Sequence, residues 1–184
     1  MMAVLVVGSL HLDVVVDAPR LPALDETLVG QSVTYAFGGK GGNQAVAASR
    51  MGAEVAMAGR VGSDDFAERL LSQLDVTGVD RTGVQQDDGA SGMSVAIVDD
   101  AGDYGAVIVS AANLRIDADQ IEIAGNTSLL CLQNEVPEAV NISVARKARA
   151  VGARVILNAA PARDVADVLM EQTDILVVNR GEAQ

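Results

Sequence analysis

Ala36-Phe37-Gly38-Gly39-Lys40-Gly41-Gly42-Asn43-Gln44-Ala45-Val46-Ala47-Ala48 is the stretch whose reading decides the fold. Four glycines surround Lys40 within five residues, so the first half permits positive φ and lets a ligand approach the backbone without meeting a Cβ. The small-residue run behind it predicts a helix, from about Gly42 to Met51, that packs closely against a sheet and stops at Gly52. The first amides of such a helix have no intrahelical partners. They carry a partial positive charge and are expected to point at whatever binds there, which suits a hydroxyl-rich or anionic ligand.

Working outward toward the N-terminus, Ala3 to Gly8 is an unbroken apolar run ending in glycine, the pattern of a buried parallel strand that stops where a loop begins. His11 to Asp17 alternates instead, with Leu12, Val14 and Val16 on one face and Asp13, Val15 and Asp17 on the other, as in a half-exposed strand. Pro19, Pro22 and Asp25-Glu26 mark a turn. Thr27 to Phe37, rich in Val, Thr and Tyr, predicts a second such strand returning to the glycine loop. Two exposed strands placed before the first helix read as a flap.

Toward the C-terminus, Glu54 to Ala58 reads as a second core strand, which completes a βαβ unit. Ser63 is the expected cap of a helix running to about Leu74, with Phe66, Leu70 and Leu74 on one face. Gly78 to Asp88 reads as connection. Ser91–Val98 and Tyr104–Val109 form a strand pair around the turn Asp99-Asp100-Ala101-Gly102-Asp103, assigned to the same flap. Asp117 with Gln120 resembles a capping box. Ser128–Leu132, Arg154–Leu157 and Asp174–Val178 are three short apolar runs separated by helical segments. The first of these segments begins at Pro137, shows Val140, Val144, Ala148 and Val151 on one face, and ends at Gly152. Right-handed crossovers then give an α/β fold, a Rossmann-like and mostly parallel sheet flanked by helices, with a small β-sheet flap or lid from about 11–37 and 91–109. Residues 1–184 read as a single domain. Asn179-Arg180-Gly181-Glu182-Ala183-Gln184 follows a strand at the point where a covering helix is expected, so the domain reads as incomplete at its C-terminus.

Composition narrows the function. The 184 residues are 49% hydrophobic but only 2% aromatic, with 18 glycines and a formal charge of -12. An aliphatic α/β core follows, and an acidic surface argues against nucleic acid or an anionic membrane as partner. The lone Cys131, inside Leu129-Leu130-Cys131-Leu132, forms no internal disulfide and reads as a buried structural thiol. No apolar run approaches the roughly 18 residues of a membrane span, and no leader precedes the first strand, so a cytoplasmic protein is expected.

A glycine-rich turn opening a helix serves phosphate loops, dinucleotide folds and plain tight turns alike. Gly41 after Lys40 departs from a Walker A loop, which needs Ser or Thr there. The flap intervenes between the first strand and this turn, unlike a dinucleotide fingerprint. A dinucleotide-binding oxidoreductase is therefore a distant alternative. The order and spacing of three segments say more: Gly8-Ser9-Leu10-His11-Leu12-Asp13, then Gly38-Gly39-Lys40-Gly41-Gly42-Asn43 with its alanine-rich helix, then Gly59-Arg60-Val61-Gly62-Ser63-Asp64-Asp65-Phe66. Together they resemble the N-terminal half of the ribokinase family of sugar kinases, also called the phosphofructokinase-B type. Asn158-Ala159-Ala160-Pro161-Ala162-Arg163 and Asn179-Arg180-Gly181-Glu182 look like later segments of the same family.

The resemblance implies that Asp13, Gly39, Lys40 and Asn43 line a sugar pocket. Their chemistry agrees, since a carboxylate and a carboxamide fix the donor and acceptor sense of hydroxyls while glycines admit close backbone approach. On alternation alone Asp13 is a solvated flap residue. Glu135 matches a family position that reaches the sugar, and is equally a charge favoured at a helix N-terminus. His11, the only histidine, stands where the family commonly has asparagine, so it reads either as structural or as a changed reader of hydroxyls. Asn179 and Glu182 resemble the family's Asn-x-x-Glu segment associated with magnesium and nucleotide phosphates, with Glu182 reaching Mg²⁺ through water; the other reading is an ordinary helix start. The implied activity is transfer of the ATP γ-phosphoryl group to a sugar hydroxyl, ribose foremost, with ATP and Mg²⁺ as cofactors. The family's catalytic base and monovalent-cation (K⁺) loop are expected beyond Gln184, so no catalytic residue is assigned and the chain alone is expected to be inactive. The resemblance further implies a homodimer through the lid. A nucleoside or other sugar kinase and a non-catalytic sugar-binding fragment remain as alternatives.

Overall fold

The computed structural model describes residues 3–183. The continuous apolar run becomes β1 (Ala3–Val7), the centre of a six-stranded, wholly parallel sheet. Its neighbours are β4 (Glu54–Val61) on one side and β8 (Thr127–Gln133) on the other. Beyond β4 lies β5 (Asp80–Gln86). Beyond β8 come β9 (Arg154–Asn158) and β10 (Ile175–Val177), giving the order β10-β9-β8-β1-β4-β5.

Alternation along β1 feeds two cores. Val4 and Val6 face α1 (Lys40–Arg50) and α2 (Asp65–Val76), joining Leu10, Met57, Leu70 and Leu74. Leu5 and Val7 face α3 (Glu138–Ala150), joining Leu130, Leu132, Val144, Leu157 and Leu169 of the short α4 (Asp167–Met170). Each fully buried Leu or Val contributes about 1.5–3 kcal/mol over its exposed state, so two mainly aliphatic layers hold the domain, with Phe37 and Phe66 packed at the margin of one.

The flap is a separate four-stranded sheet, ordered β3-β2-β6-β7. Its strands are β2 (His11–Asp17), β3 (Ser32–Gly38), β6 (Gly92–Val98) and β7 (Tyr104–Val109). β2 and β6 pair in parallel at its middle, with antiparallel partners outside them. The chain enters and leaves this sheet at four points, all near the C-terminal ends of the large-sheet strands. Three polar side chains tie these crossings together. Asn113 pairs with both backbone groups of Leu10 at 2.9 Å, donating to its carbonyl and accepting from its amide. Asp64 accepts from the Ser91 amide at 2.8 Å and from its hydroxyl at 2.6 Å. Asp87 takes both Nε and a terminal nitrogen of Arg115 at 2.7 and 2.9 Å.

Four expectations change. Residues 80–86 are a strand, although Asp80-Arg81-Thr82-Gly83-Val84-Gln85-Gln86 has no apolar run, because β5 is an edge strand held by backbone pairing to β4. Gln85 adds two amide bonds to the Asp117 backbone, at 2.7 and 2.9 Å. The return strand of the flap starts at Ser32 rather than Thr27, since residues 27–31 have no ladder partner. The cap of α2 is Asp64, whose carboxylate accepts from the Ala67 amide at 3.0 Å, not Ser63. At Asp117 the turn is a single 3₁₀ turn in which Gln120 donates to the Asp117 carboxylate, while the Asp117 amide is taken by Gln85.

Candidate functional site

Gly39 makes the turn between β3 and α1 with φ +84°, a conformation that a side chain resists. A Cβ there would lie 2.8 Å from the His11 nitrogen and the Ser9 oxygen. The glycine therefore lets the start of α1 press against the β1–β2 crossing. The amides at that start do not point into open space, as the sequence suggested. Lys40 N donates to Glu135 Oε2 at 2.8 Å, Gly41 N to Ser9 Oγ at 3.3 Å, and Gly42 N to the Ser9 carbonyl at 2.9 Å. The anion drawn to this helix N-terminus is the protein's own Glu135, delivered by the loop after β8.

Glu135 is the hub. Ser9 Oγ donates to its Oε2 at 2.5 Å, His11 Nδ1 lies 3.8 Å from the same oxygen, and Lys40 Nζ lies 3.9 Å from Oε1. His11 is 3% exposed, and its Nε2 has no hydrogen-bond partner among the described residues. Burial pushes the imidazole pKa below its ordinary value, against the raising influence of Glu135 and Asp13, so the ring is neutral at pH 7. Gly92 makes room for it, since a Cβ there would sit 2.5 Å from His11 Cδ2. Asp13, two residues along β2 on the same face, accepts from Ser94 Oγ at 2.6 Å. Gly38, the β3 partner of His11, leaves the space that this carboxylate fills.

Beside these groups is a cavity of about 310 Å³, lined among others by His11, Glu135, Asn134 and Arg163, with Ile108 and Leu114 as apolar wall. A larger one, about 450 Å³, lies at the opposite, N-terminal end of β1, β4 and β5. Its charged lining is Glu54, Asp80 and Glu122, all acidic, with no helix N-terminus above it. The smaller cavity is the candidate site, because ligands of open α/β sheets bind beyond the carboxyl ends of the strands and because it combines a carboxylate, an imidazole and a guanidinium.

The structure thus brings His11, Asp13, Gly39, Lys40 and Glu135 around the base of the small sheet. Asn43 lies on the exposed side of the first turn of α1, and its side chain makes no hydrogen bond among the described residues. Asn179 and Glu182 lie apart, after β10, in a reciprocal box. Asn179 Oδ1 accepts from the amides of Gly181 and Glu182 at 2.8 and 2.9 Å, and Glu182 Oε2 accepts from the Asn179 amide at 2.8 Å. The box closes a turn over residues 180–183, and among the described residues Oε1 of Glu182 accepts no hydrogen bond. Among the described residues no cluster of three or more His, Cys, Asp or Glu could hold a metal, and no helix is long and apolar enough to cross a membrane. Two residues went unnoticed as site elements, Ser9 and Ser94. Ser94 is marked only by its place opposite Asp13, visible once β2 and β6 are known to pair, and Ser9 by its place in the connection from β1 to β2 two residues before His11.

The model of the pfkB family carbohydrate kinases matches residues 1–184. A ribokinase of Haemophilus influenzae is 34% identical over 97% of the chain, and one of Bacillus subtilis 33% identical over 97%. The structure of Arabidopsis thaliana ribokinase complexed with ribose and ATP covers 99% of the chain with a TM-score of 0.90 at 30% identity. The chain spans about 60% of the length of these relatives. With the whole chain matched and the fold shared, the protein belongs to the pfkB family of carbohydrate kinases.

Proposed function

We propose that this chain holds a sugar for phosphorylation by ATP, ribose foremost, in the cavity between the small sheet and the carboxyl ends of β1 and β8. The observation that carries this reading is the convergence of His11, Glu135 and Arg163 from three separate parts of the chain onto one cavity, with Lys40 Nζ 3.9 Å from Glu135 and Asp13 two residues from His11 on β2. Carboxylates accept from sugar hydroxyls and Lys40 donates. The neutral His11 imidazole adds an acceptor or donor according to its tautomer. The small sheet acts as a lid that keeps water from the reacting hydroxyl.

ATP with Mg²⁺ supplies the phosphoryl group when bound. Asn179 and Glu182 are the residues to hold its phosphate side, and the open oxygen of Glu182 fits a magnesium contact through water. No residue of the chain is assigned as base or as K⁺ ligand, and these 184 residues alone are expected to show no turnover. We further assign a cytoplasmic location and a homodimer through the outer face of the lid. That face exposes Val33, Tyr35, Val107 and Val109 at 48–67%, a row of apolar side chains that a partner sheet covers.

Isothermal titration with pentoses, hexoses and nucleosides tests the reading: ribose binding lost in Glu135→Gln supports it, and binding indifferent to that change refutes it. A nucleoside substrate is the second reading, favoured by the apolar wall of Ile108, Leu114 and Pro137.

A further inference from the structure

We propose that Ser9 is a positioning residue that divides the Glu135 carboxylate between two tasks, Oε2 locked to the hinges of the small sheet and Oε1 held toward the ligand; this rests on the cavity being the sugar site.

Ser9 is 0% exposed and sits where the chain passes from β1 into β2. Its hydroxyl has one proton. The Gly41 amide donates to Ser9 Oγ at 3.3 Å and occupies a lone pair, so the proton is directed to Glu135 Oε2, 2.5 Å away. The Lys40 amide donates to the same oxygen at 2.8 Å. Oε2 therefore carries two hydrogen bonds, one from the crossing into β2 and one from the residue just past the crossing out of β3. Oε1 accepts none among the described residues, and its nearest cation, Lys40 Nζ, stands at 3.9 Å. Glu135 lines the cavity.

The asymmetry follows from the serine. Without its hydroxyl the carboxylate retains a single tether at Lys40 N and turns about its terminal torsion, which is broad and two-fold. Either oxygen then serves the helix, and the free one is no longer fixed toward the ligand. With the hydroxyl in place, a sugar hydroxyl donating to Oε1 acts on a group already bonded to both inner crossings. Ligand and small sheet are thereby coupled through one side chain, a link between residues 126 apart in sequence.

A double-mutant cycle on this chain tests the proposal, with ribose affinity read by titration calorimetry for wild type, Ser9→Ala, Glu135→Gln and the double variant. Loss of one hydrogen bond to a charged group predicts that Ser9→Ala weakens ribose binding about tenfold. In the Glu135→Gln background the same change should alter affinity less than about twofold. Amide exchange of residues 38–42 supplies a second readout: ribose slows it in wild type and fails to do so in Ser9→Ala. A purely structural serine gives additive effects in the cycle, or lowers the unfolding midpoint while leaving ribose affinity intact, and either result overturns the proposal. Should Glu135→Gln leave affinity unchanged, or wild type bind no ribose, the sugar-site reading itself fails and takes this proposal with it.

Discussion

Replacing Gly39 by alanine isolates what the glycine turn does. Two glycines flanking α1 have nearly equal positive φ, +84° at Gly39 and +87° at Gly52, but different surroundings. A Cβ at Gly52 meets nothing within 4 Å, whereas one at Gly39 meets backbone of His11 and Ser9 at 2.8 Å and Leu10 Cα at 3.0 Å. A non-glycine residue in the left-handed region at Gly52 costs about 1–2 kcal/mol. At Gly39 ψ is 137°, outside the left-handed helical well and in backbone territory kept almost to glycine, which costs about 1–3 kcal/mol. Gly39→Ala adds overpacking against main chain that cannot swing aside, about 1–3 kcal/mol. The totals are about 1–2 kcal/mol for Gly52→Ala and about 2–6 kcal/mol for Gly39→Ala. At about 2–4 °C per kcal/mol for a domain of this size, the midpoints fall by about 2–8 °C and about 4–24 °C respectively. Urea and thermal unfolding followed by circular dichroism measure both. Equal losses at the two sites would mean that close approach of α1 to the β1–β2 crossing contributes nothing, and the account of the turn would be wrong.

Other outcomes follow from the same contacts. Burial opposes the charge on Asp64, but hydrogen bonds from Ser91 and Ala67 outweigh it and hold the carboxyl below its ordinary pKa; bonding to Arg115 holds that of Asp87 at about 2. Carboxyls depressed in the folded state stabilise above their unfolded pKa of about 3.9 and lose that contribution as pH falls through the folded value. The small sheet should therefore loosen from about pH 4 toward pH 2, read by fluorescence of Tyr35 and Tyr104, the only tyrosines, both in that sheet; an unchanged signal over that window contradicts it. His11, with its pKa lowered mainly by burial, favours the fold above its unfolded pKa of about 6.5, a contribution lost as pH falls through the folded value. His11→Asn should flatten the pH dependence of stability below that point, measured by urea titration at pH 5 and 7. Gly83→Ala should cost about 1–3 kcal/mol, because its Cβ would press on Ala58 Cβ and the Met57 oxygen at 3.1 Å; a midpoint within error of wild type contradicts the β4–β5 register.

The large sheet was legible because β1, β8 and β9 are largely buried strands whose apolar runs need no partner to be seen, and β10, though exposed at the sheet edge, keeps an apolar run of its own. β5 was not, because an edge strand satisfied by backbone pairing and by Gln85 requires no hydrophobic signal. Asp64 displaced Ser63 as the cap for a tertiary reason: its two oxygens also serve Ser91, on a crossing 27 residues away. At the site, the residue types around Gly39 were readable and their partners were not. The amides of Lys40 and Gly41 looked open to a ligand because Glu135 and Ser9 are 95 and 32 residues distant and enter only once the sheet is assembled. The Asn179–Glu182 motif shows the converse, a spacing that satisfies a capping box and a family pattern equally well.

Ribose titration into the isotopically labelled chain, followed residue by residue in amide and side-chain spectra, tests the central claim most directly. The account predicts shifts confined to the amides of 11–13, 38–43 and 134–136, saturating with ribose and abolished in Glu135→Gln. Shifts centred instead on Glu54, Asp80 and Glu122, at the far end of the sheet, would contradict it.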